Sequence, residues 1–294
     1  MHIPVLLNEI LEYLDPKPNE NFIDCTVGEG GHALAMLKLT APDGKMLGID
    51  RDADMVARLR ERVRVMGMGD RFIIHHGNFS DLADIAEGYK FAQVQGILFD
   101  FGMSSWQLEE SGAGFSFQNI EPLDMRFDRT KDTETAATIL NSWPEESIRR
   151  VIDEFGEERY ARRIAREIVT SRKKDRIKTT DQLAAIILRA VPRRSGKTHL
   201  ATRTFQALRI AVNSELENLE KGVNEAINLL SSCGRIAAVS FHSLEDRRVK
   251  QIFREGSSSG ILKIITKKPV VSLPGEVRGN PRARSAKLRV AEKI

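Results

Sequence analysis

The first hundred residues alternate short apolar runs with stretches in which apolar residues recur every three or four positions. The runs predict four strands, at Phe22–Cys25, Met46–Asp50, Phe72–His75 and Gly96–Asp100. The stretches between them have the period of amphipathic helices, and a further helix is predicted over residues 5–14. Strands that alternate with helices in this way predict a parallel α/β sheet.

The second half of the chain has a different pattern. Residues 102–128 are rich in Gly, Ser and Phe and have no period, which predicts a loop, whereas residues 144–190 are charged and helical. Residues 205–230 carry an unbroken apolar stripe, which predicts one long core-packing helix that Gly234 terminates.

Three more strands and one helix are predicted after this stripe. They are strands Arg235–Phe241, Ile261–Thr266 and Ala286–Ala291 and helix Leu244–Phe253. The last two strands are joined by residues 267–284, here called the basic C-terminal segment. It contains three prolines and is predicted to be a loop.

Composition narrows the class of protein. The chain has 294 residues, of which 41% are hydrophobic and 29% charged, as in soluble globular proteins. No apolar run approaches the ~20 residues needed to cross a bilayer, and the N-terminus has no export signal, so no membrane partner is expected. Cys25 and Cys233 lack C-x-x-C spacing, which predicts neither a disulfide nor a metal site and favours a cytoplasmic location.

Charge is unevenly distributed along the chain. The total is +4, but the segment from Arg159 to Arg203 has fourteen Lys or Arg against three acidic residues. This segment therefore carries +11 and the remainder −7. Such asymmetry predicts a polyanionic partner for the segment, the alternative being a helix face that is merely solvated.

A glycine-rich turn follows the first predicted strand. Asp24 stands near the end of the strand, and Gly28, Gly30 and Gly31 come before the helical period resumes. Glycines let the backbone approach a ligand closely and place helix amides around it. Asp50, at the end of the second strand, stands where an acidic residue accepts hydrogen bonds from ribose hydroxyls. The pattern predicts a nucleoside-containing cofactor.

Two cofactors are compatible with this turn. Residues 28–33 satisfy G-x-G-x-x-A, the pattern of a dinucleotide site, so an NAD-dependent oxidoreductase is one alternative. Asp24 and Glu29 flank the turn, and carboxylates there disfavour a pyrophosphate but suit a ligand with an ammonium and a sulfonium group. Charge therefore favours S-adenosylmethionine.

Motifs spread over nearly the whole chain carry a family resemblance. They are residues 2–6 (HIPVL), 24–32 (DCTVGEGGH), 48–52 (GIDRD), 78–80 (NFS), 114–117 (GFSF), 122–126 (PLDMR), 204–213 (TFQALRIAVN), 240–247 (SFHSLEDR) and 280–289 (NPRARSAKLR). With these motifs the chain resembles the RsmH (MraW) family of S-adenosylmethionine-dependent methyltransferases, which act on N4 of a cytidine in small-subunit (16S) ribosomal RNA. One position departs from the family pattern, with Trp106 where a proline is usual.

The resemblance implies a fold and a domain organisation. The fold class is α/β, a class I (Rossmann-like) seven-stranded methyltransferase sheet with a helical insertion domain after strand four. The implied S-adenosylmethionine-binding domain comprises residues 1–105 and 203–294, and the substrate-recognition insertion comprises residues 106–202. The implied partner is small-subunit ribosomal RNA or the assembled small subunit.

The resemblance also implies which residues form the site. The cofactor contacts fall on Gly30, Gly31, His32, Asp50, Phe79, Asp100 and Gln107. The N4 lone pair of cytosine is delocalised into the ring, so a carboxylate that accepts a hydrogen bond from the amino group helps the reaction. Asp100 is the candidate for this catalytic role, and the alternative is that it only holds the cofactor.

A target cytidine has to be unstacked and seated against aromatic or apolar side chains. The candidates for substrate binding are Phe115, Phe117, Asp124, Trp143, Asn213 and His242. A histidine at a strand end is equally well explained by structural hydrogen bonding, so both interpretations of His242 stay open. A last alternative for the whole chain is an RNA-binding assembly factor that does not catalyse methyl transfer.

Overall fold

The computed structural model describes residues 4–109, 111–192 and 199–294 and divides the chain into two compact units. The first unit comprises Met1–Gly102 and Leu216–Ile294, and the second comprises Met103–Glu215. The second unit thus begins close to the start of the predicted insertion but continues past residue 202, where the sequence placed its end.

The first half of the first unit is a regular alternation of helices and strands. In chain order these are α1 (Leu7–Leu14), β1 (Asn21–Asp24), α2 (Gly31–Leu39), β2 (Met46–Asp50), α3 (Ala53–Val65), β3 (Phe72–His76), α4 (Leu82–Gly88) and β4 (Val94–Asp100). A 3-10 helix, Phe79–Asp81, precedes α4. Each of the four predicted strands is confirmed to within two residues at either end.

The second unit is helical. It contains α5 (Ser105–Glu109), α6 (Ala136–Ser142), α7 (Glu145–Glu154), α8 (Ala161–Arg172), α9 (Thr180–Ala190) and α10 (Thr202–Asn213). Its core is formed by apolar residues that recur every three or four positions, such as Ile148 and Ile152 on α7 and Ile164 and Ile168 on α8. Apart from α5, the described residues between 102 and 128 contain no helix and only the isolated bridge at Pro122, which agrees with the predicted loop.

The chain then returns to the first unit. The remaining elements are α11 (Glu215–Leu229), β5 (Leu230–Ser240), α12 (Ser243–Ser258), β6 (Leu262–Ile264), β7 (Val270–Val271), α13 (Pro274–Gly279) and β8 (Lys287–Lys293). The basic C-terminal segment is therefore not only a loop, because it holds β7, α13 and most of a 3-10 helix, Pro281–Ser285.

The sheet of the first unit has the order β3-β2-β1-β4-β5-β8-β6, and β7 also pairs with β8. Strands β1 to β5 are parallel, and β8 is antiparallel to β5. The Rossmann-like sheet is confirmed, but it has eight strands instead of the predicted seven. The additional strand forms because the β-branched residues Val270 and Val271 pair with Leu288 and Lys287.

Both faces of this sheet are covered, as a parallel sheet requires. Alternate residues of β1 enter different cores, Phe22 with α1, α2 and α3 and Ile23 with α4, α11 and α12. The strands are therefore rigid over their whole length, and their carboxyl ends are held at fixed positions relative to one another.

The predicted single helix over residues 205–230 is wrong. Ser214 has a φ of 49°, in the left-handed region, and separates α10 from α11. Phe205 and Leu208 on α10 pack in the core of the second unit, whereas Leu219 and Val223 on α11 pack in the core of the first. An apolar stripe shows that one face of a helix is buried but does not show which core that face enters. The stripe therefore continues across Ser214 although the two helices pack in different cores.

Candidate active site at the carboxyl ends of the strands

Three carboxylates lie at the carboxyl ends of adjacent parallel strands. Asp24 ends β1, Asp50 ends β2 and Asp100 ends β4, and the sheet order β2-β1-β4 places these strands side by side. In open α/β sheets, ligands bind beyond this edge. The sequence predicted this arrangement from the acidic residue at each strand end.

The glycine turn between β1 and α2 closes around Asp50. The Gly28 amide donates to Asp50 Oδ2 at 2.8 Å, and the Asp52 amide donates to Oδ1 at 2.9 Å. Gly30 has a φ of 79°, which L-residues rarely adopt, and it immediately precedes α2. The carboxylate of Asp50 is therefore held by two backbone donors and keeps further lone pairs for a ligand.

Gly31 begins α2 and lies against the N-terminal segment of residues 4–6. A Cβ atom at Gly31 would come within 2.5 Å of Pro4 Cγ, so no larger residue fits without moving this segment. The predicted role of Gly30 and Gly31, close approach of the backbone to a ligand, stays a prediction. Their local geometry is compatible with it.

Asp100 has a carboxylate with unused capacity. Its amide donates to Thr26 Oγ1 at 2.7 Å, which fixes the end of β4 against the start of the glycine turn. Its side chain is 24% exposed, but the Oδ1 atom is buried and has no hydrogen-bond partner among the described residues. A buried acceptor without a donor is unfavourable, and such groups call for a functional explanation.

His32 has its proton position fixed by the N-terminal segment. Its Nε2 lies 2.9 Å from the carbonyl oxygen of Val5, and because a carbonyl oxygen only accepts, Nε2 must donate. In the neutral ring Nδ1 is then the acceptor, and it lies 3.7 Å from Asp100 Oδ2. The histidine is buried, so it faces Asp100 as a fixed neighbour.

Burial raises the pKa of three carboxylates in this site, and the charge of neighbouring carboxylates raises it further. Burial, opposed by the hydrogen bonds of Thr26 and helped by the charge of Asp50, raises the pKa of Asp24 to about 7. Burial raises the pKa of Asp50 to about 6 against its backbone hydrogen bonds. Burial, then the charges of Asp24 and Glu245, raises the pKa of Asp100 well above its usual range. A bound cation would stabilise the ionised form of each carboxylate, so the site suits a cationic ligand.

Phe79 lies in the first unit, in the 3-10 helix after β3. It is half-buried, and its ring packs edge-on against Phe99 with centroids 5.5 Å apart. Phe101 makes a second edge contact at 6.1 Å. Its predicted contact with adenine stays a prediction, and packing against the core fixes the ring in place.

Gln107 and Asp124 belong to the second unit. Gln107 is buried on α5, and its Oε1 accepts from the Ser104 amide at 3.1 Å. Asp124 pairs with Arg126, whose Nε donates to Oδ1 at 2.7 Å, while Arg129 Nε lies 3.7 Å from Oδ2. Both side chains are thus held by their own unit, and their predicted ligand contacts stay predictions.

The three aromatic candidates of the second unit differ in how far they are covered. Phe115 is buried and stacks on Phe127, with centroids 5.3 Å apart. Phe117 is half-buried and stacks on His199 at 4.4 Å. Trp143 is also half-buried, and its indole Nε1 donates to Glu134 Oε1 at 2.8 Å.

Asn213, predicted to contact the base, has its polar atoms engaged inside the second unit. Oδ1 accepts from the Phe127 amide at 2.8 Å, and Nδ2 donates to the Met125 carbonyl at 2.7 Å and to the Arg209 carbonyl at 2.9 Å. This side chain is buried, and it fixes the loop at residues 125–127. We therefore assign it a positioning role, and a direct substrate contact stays a prediction.

His242 precedes α12 and caps it. Its Nδ1 accepts from the Glu245 amide, while Glu245 Oε2 accepts from the Phe241 amide at 2.8 Å. The Nε2 atom lies 3.2 Å from Glu245 Oε1. The capping role explains why a histidine stands here, and the predicted base contact stays a prediction.

Sequence reasoning gave no role to three groups around the site. Thr26 holds the Asp100 amide, Val5 fixes the tautomer of His32, and Glu245 contributes to the raised pKa of Asp100. Each lies within a motif quoted for the resemblance, at residues 24–32, 2–6 and 240–247. Membership of a motif was the available signal, but the partner of each group depends on contacts over long sequence separations.

The chain is similar to known proteins over its full length. The sequence profile of the MraW methylase family matches residues 1–294. The chain is 46% identical to Ribosomal RNA small subunit methyltransferase H of Thermomicrobium roseum, with 100% of this chain and 94% of the relative covered. It is 44% identical to the protein of the same name from Symbiobacterium thermophilum, with coverages of 100% and 96%.

Among the similar solved structures is one that is covered over 100% of both chains. It is described as a putative rRNA-methylase from Clostridium thermocellum, and it has a TM-score of 0.49 at 11% sequence identity. In the part of the chain that the structure describes, no helix has the length and apolar content needed to cross a membrane.

A profile match across the whole chain, together with the acidic glycine-turn site, defines the class of protein as a methylase. The chain belongs to the MraW methylase family, and the resemblance inferred from its motifs is confirmed. Of the two cofactors left open by the glycine turn, S-adenosylmethionine is therefore the one this protein uses. The NAD-dependent alternative is dropped.

The residues present fit this cofactor. Asp100 Oδ1 is a buried acceptor without a donor among the described residues, and three carboxylates with raised pKa values surround the turn. A ligand with an ammonium and a sulfonium group stabilises the ionised carboxylates, whereas a pyrophosphate would add negative charge beside them. The structure thus supports the charge argument made from Asp24 and Glu29, although Glu29 itself is exposed.

Proposed function

We propose that this protein transfers a methyl group from S-adenosylmethionine to N4 of a specific cytidine in small-subunit ribosomal RNA, in the cytoplasm. Two relatives that match the whole chain at 44–46% identity are named as ribosomal RNA small subunit methyltransferases. The observation that carries the chemistry is the buried Oδ1 atom of Asp100, which has no donor among the described residues at the carboxyl end of a central strand.

The site supports the following division of labour. When bound, S-adenosylmethionine supplies an electrophilic methyl group. Asp50 accepts hydrogen bonds from the ribose hydroxyls, Gly30 and Gly31 let the backbone approach the ligand, and Phe79 offers an apolar ring to adenine. Gln107 is a further proposed contact.

Asp100 acts on the nucleophile in this proposal. A hydrogen bond from the N4 amino group to its carboxylate increases electron density on a nitrogen whose lone pair is otherwise delocalised into the ring. Burial and the charges of Asp24 and Glu245 raise the pKa of Asp100, and positive charge nearby lowers it. A bound cationic cofactor therefore favours the ionised carboxylate, which is the form that accepts the hydrogen bond.

The substrate contacts are proposed for the second unit and for His242. Phe117 and Trp143 are half-buried and offer the most accessible aromatic surface, whereas Phe115 has one face covered by Phe127. Asp124 and His242 are proposed base-edge partners. The basic segment from Arg159 to Arg203 is proposed to bind the RNA backbone, and its Arg193 and Arg194 lie outside the described residues.

Mapping of methylated cytidines in ribosomal RNA tests the proposal directly. RNA from cells with and without this protein is compared, and we expect one N4-methylated cytidine of the small subunit to disappear when the protein is absent. The purified protein should restore it with S-adenosylmethionine alone. If the RNA is bound but no methyl group is transferred, the chain is the non-catalytic assembly factor considered above.

Asp100→Asn tests the role of the carboxylate. Asparagine keeps the shape and one oxygen but is a much weaker acceptor, so the methylation rate should fall by more than the affinity for S-adenosylmethionine, both measured on the same preparation. Asp43→Asn, at an exposed position outside the site, is the control and should change neither quantity. An equal loss of rate and affinity in Asp100→Asn would assign Asp100 to cofactor binding alone.

A further inference from the structure

The register of the sheet places part of the basic C-terminal segment at the same edge as the site. Strand β8 is antiparallel to β5, and Lys287 at its start pairs with Ser240 at the end of β5. Strand β7 pairs with the same end of β8, through Val271 and Lys287. Residues 272–286, which join β7 to β8, therefore connect the strands at the carboxyl edge, where Asp24, Asp50 and Asp100 lie.

This segment presents unpaired positive charge. It contains five Lys or Arg and a single acidic residue, Glu276. Lys267, Lys268, Arg278 and Arg284 are exposed, and within the described ranges none of these four has an ion-pair partner. Lys287 and Arg289, just beyond the segment, pair instead with Asp246. The four free cations are thus available to an external anion.

The acidic residue of the segment is already engaged. Glu276 Oε1 accepts from the Leu6 amide at 2.7 Å, so it holds the N-terminal segment instead of neutralising the neighbouring cations. The same N-terminal segment contacts the cofactor site, because Pro4 lies on Gly31 and the Val5 carbonyl accepts from His32. The basic C-terminal segment is therefore linked to the glycine turn through residues 4–6.

Apolar side chains are exposed among these charges. Val271 is 56% exposed and Leu273 is 66% exposed, and both lie between Lys268 and Arg278 in sequence. Phosphates are bound by cations and unstacked bases by apolar or aromatic faces, and surfaces that bind single-stranded nucleic acid combine the two. In a base-paired helix the base faces are stacked on one another, so only a single strand can place them against exposed apolar side chains.

We propose that the basic C-terminal segment is a second RNA-binding surface, which holds single-stranded RNA that flanks the modified nucleotide. Lys267, Lys268, Arg278 and Arg284 bind phosphates, and Val271 and Leu273 contact unstacked bases. The proposal rests on the proposed function, since it takes the RNA substrate as given. It adds that the first unit, and not only the insertion, binds the substrate.

Two charge-reversed pairs test this surface. The variants are Lys267→Glu with Lys268→Glu, and Arg278→Glu with Arg284→Glu, and the probe is purified small-subunit ribosomal RNA over a series of salt concentrations. Each pair should weaken binding and make the log–log salt dependence shallower by roughly 1.4, the value for two lost phosphate contacts on a single strand. Calorimetry with S-adenosylmethionine should give the wild-type affinity, which also shows that the variants are folded.

Two further variants distinguish the effect of charge from that of apolar contact, and the proposed surface from other exposed lysines. Leu273→Ser should weaken RNA binding without changing the salt slope, because an apolar contact releases no counterions. Lys38→Glu with Lys90→Glu is the matched control. Both lysines are exposed. Lys38 lies in the last turn of α2, which leads to the start of β2, and Lys90 lies shortly before β4, so both are toward the opposite edge of the sheet and affinity and slope should stay at the wild-type values.

The possible failures can be told apart. If both pairs bind RNA with wild-type affinity and slope while the wild type methylates RNA, the surface is not an RNA site and the proposed function stands. If the wild type neither binds nor methylates RNA, both proposals fall. If the pairs lose binding only to phosphatidylserine-containing vesicles and keep RNA binding, the segment recognises an anionic membrane surface and the inference is overturned.

Discussion

At the residue scale, several carboxylates lie close together at the carboxyl ends of the strands, with few cations beside them. Asp24, Asp50 and Asp100 are neighbours, and Glu245 adds to the negative charge felt by Asp100. His32 is an adjacent basic side chain, but its Nε2–H donates to the Val5 carbonyl and its Nδ1 faces Asp100. Burial therefore favours the protonated form of these carboxyls, and a cationic ligand favours the ionised form.

Asp50→Ala should abolish measurable binding of S-adenosylmethionine while the protein stays folded. Hydrogen bonds to charged groups are worth roughly 1.5–3 kcal/mol each, and the proposed contact loses two of them. Titration calorimetry measures the affinity. The neighbouring exposed Asp54→Ala is the matched control and should bind normally. Unchanged affinity in a folded Asp50→Ala protein would remove Asp50 from the site.

The pH dependence of stability should reveal the buried Asp24. Its carboxyl keeps a proton up to about pH 7 when folded but loses it near 3.8 when unfolded, so the folded state binds more protons between these values. The free energy of unfolding should therefore decrease as the pH rises from about 4 to about 7. At 1.36 kcal/mol per pH unit the decrease is at most roughly 4 kcal/mol.

Asp24→Asn should make this decrease smaller by up to that amount, because the amide does not ionise and its oxygen can still accept from the Thr26 amide. Asp50 and Asp100, whose pKa values are also raised, keep their own contributions. Denaturant unfolding of the cofactor-free protein at several pH values measures the decrease.

Asp124→Asn is a control in which the pH dependence has the opposite sign. Burial raises the pKa of Asp124, but the hydrogen bonds and charge of Arg126, with the charge of Arg129, together lower it below its ordinary value. That variant should lose stability above about pH 4. Equal pH slopes for wild type and Asp24→Asn would contradict the assignment.

At the scale of elements, the boundary between α10 and α11 gives Asn213, which was predicted to contact the substrate, a structural role. Ser214 turns the chain in the left-handed region, and Arg209 on α10 pairs with Glu215 through Nε and Oε1 at 2.8 Å. Asn213, the last residue of α10, holds residues 125–127 by three hydrogen bonds. The turn therefore anchors a loop of the second unit.

Asn213→Ala should destabilise the protein because it removes the hydrogen bonds that the half-buried Phe127 amide and the buried Met125 carbonyl make to this side chain. A lost partner costs about 1–3 kcal/mol for each group, so we expect a loss of roughly 2–6 kcal/mol in denaturant unfolding. Asn224→Ala on α11 is the matched control. Its exposed Nδ2 donates only to the Glu220 carbonyl, and the change should stay within about 0.5 kcal/mol. Normal stability with reduced RNA affinity would restore the substrate-binding role of Asn213.

At the scale of the whole molecule, charge is separated between parts of the chain. The first unit gathers carboxylates at its strand ends, while the segment from Arg159 to Arg203 carries a net charge of +11. Several of its cations are engaged within the second unit, for example Arg172 with the Leu140 carbonyl and Arg189 with Glu167. Lys173 and Lys174 are exposed after α8 and have no ion pair within the described residues.

Lys173→Glu with Lys174→Glu should weaken the binding of small-subunit ribosomal RNA and leave S-adenosylmethionine binding unchanged. If both contact phosphates, the log–log salt dependence should become shallower by roughly 1.4. The pair Lys38→Glu with Lys90→Glu again serves as the control. A merely solvated face predicts wild-type affinity and slope, and that result would exclude these two lysines from the RNA-binding surface.

The sequence by itself determined the parallel strands, the acidic residues at their ends and the glycine turn. These features follow from local rules, because strand period, helix period and glycine conformations depend on neighbours a few positions apart. The motifs then identified the family, and the excess of carboxylates around the turn favoured the cofactor. The carboxyl ends of β1, β2 and β4 meet because parallel strands in one sheet share an edge.

Only the tertiary structure decided which core each part of the 205–230 stripe enters, and that β7 forms within a segment predicted to be a loop. It also decided that Asn213 is used inside its own unit and that the Val5 carbonyl sets the tautomer of His32. Each of these depends on partners at least 16 residues apart, such as Val271 and Lys287, Val5 and His32, or Asn213 and Phe127. A local pattern shows that a group is polar or buried, but the fold alone supplies the atom it meets.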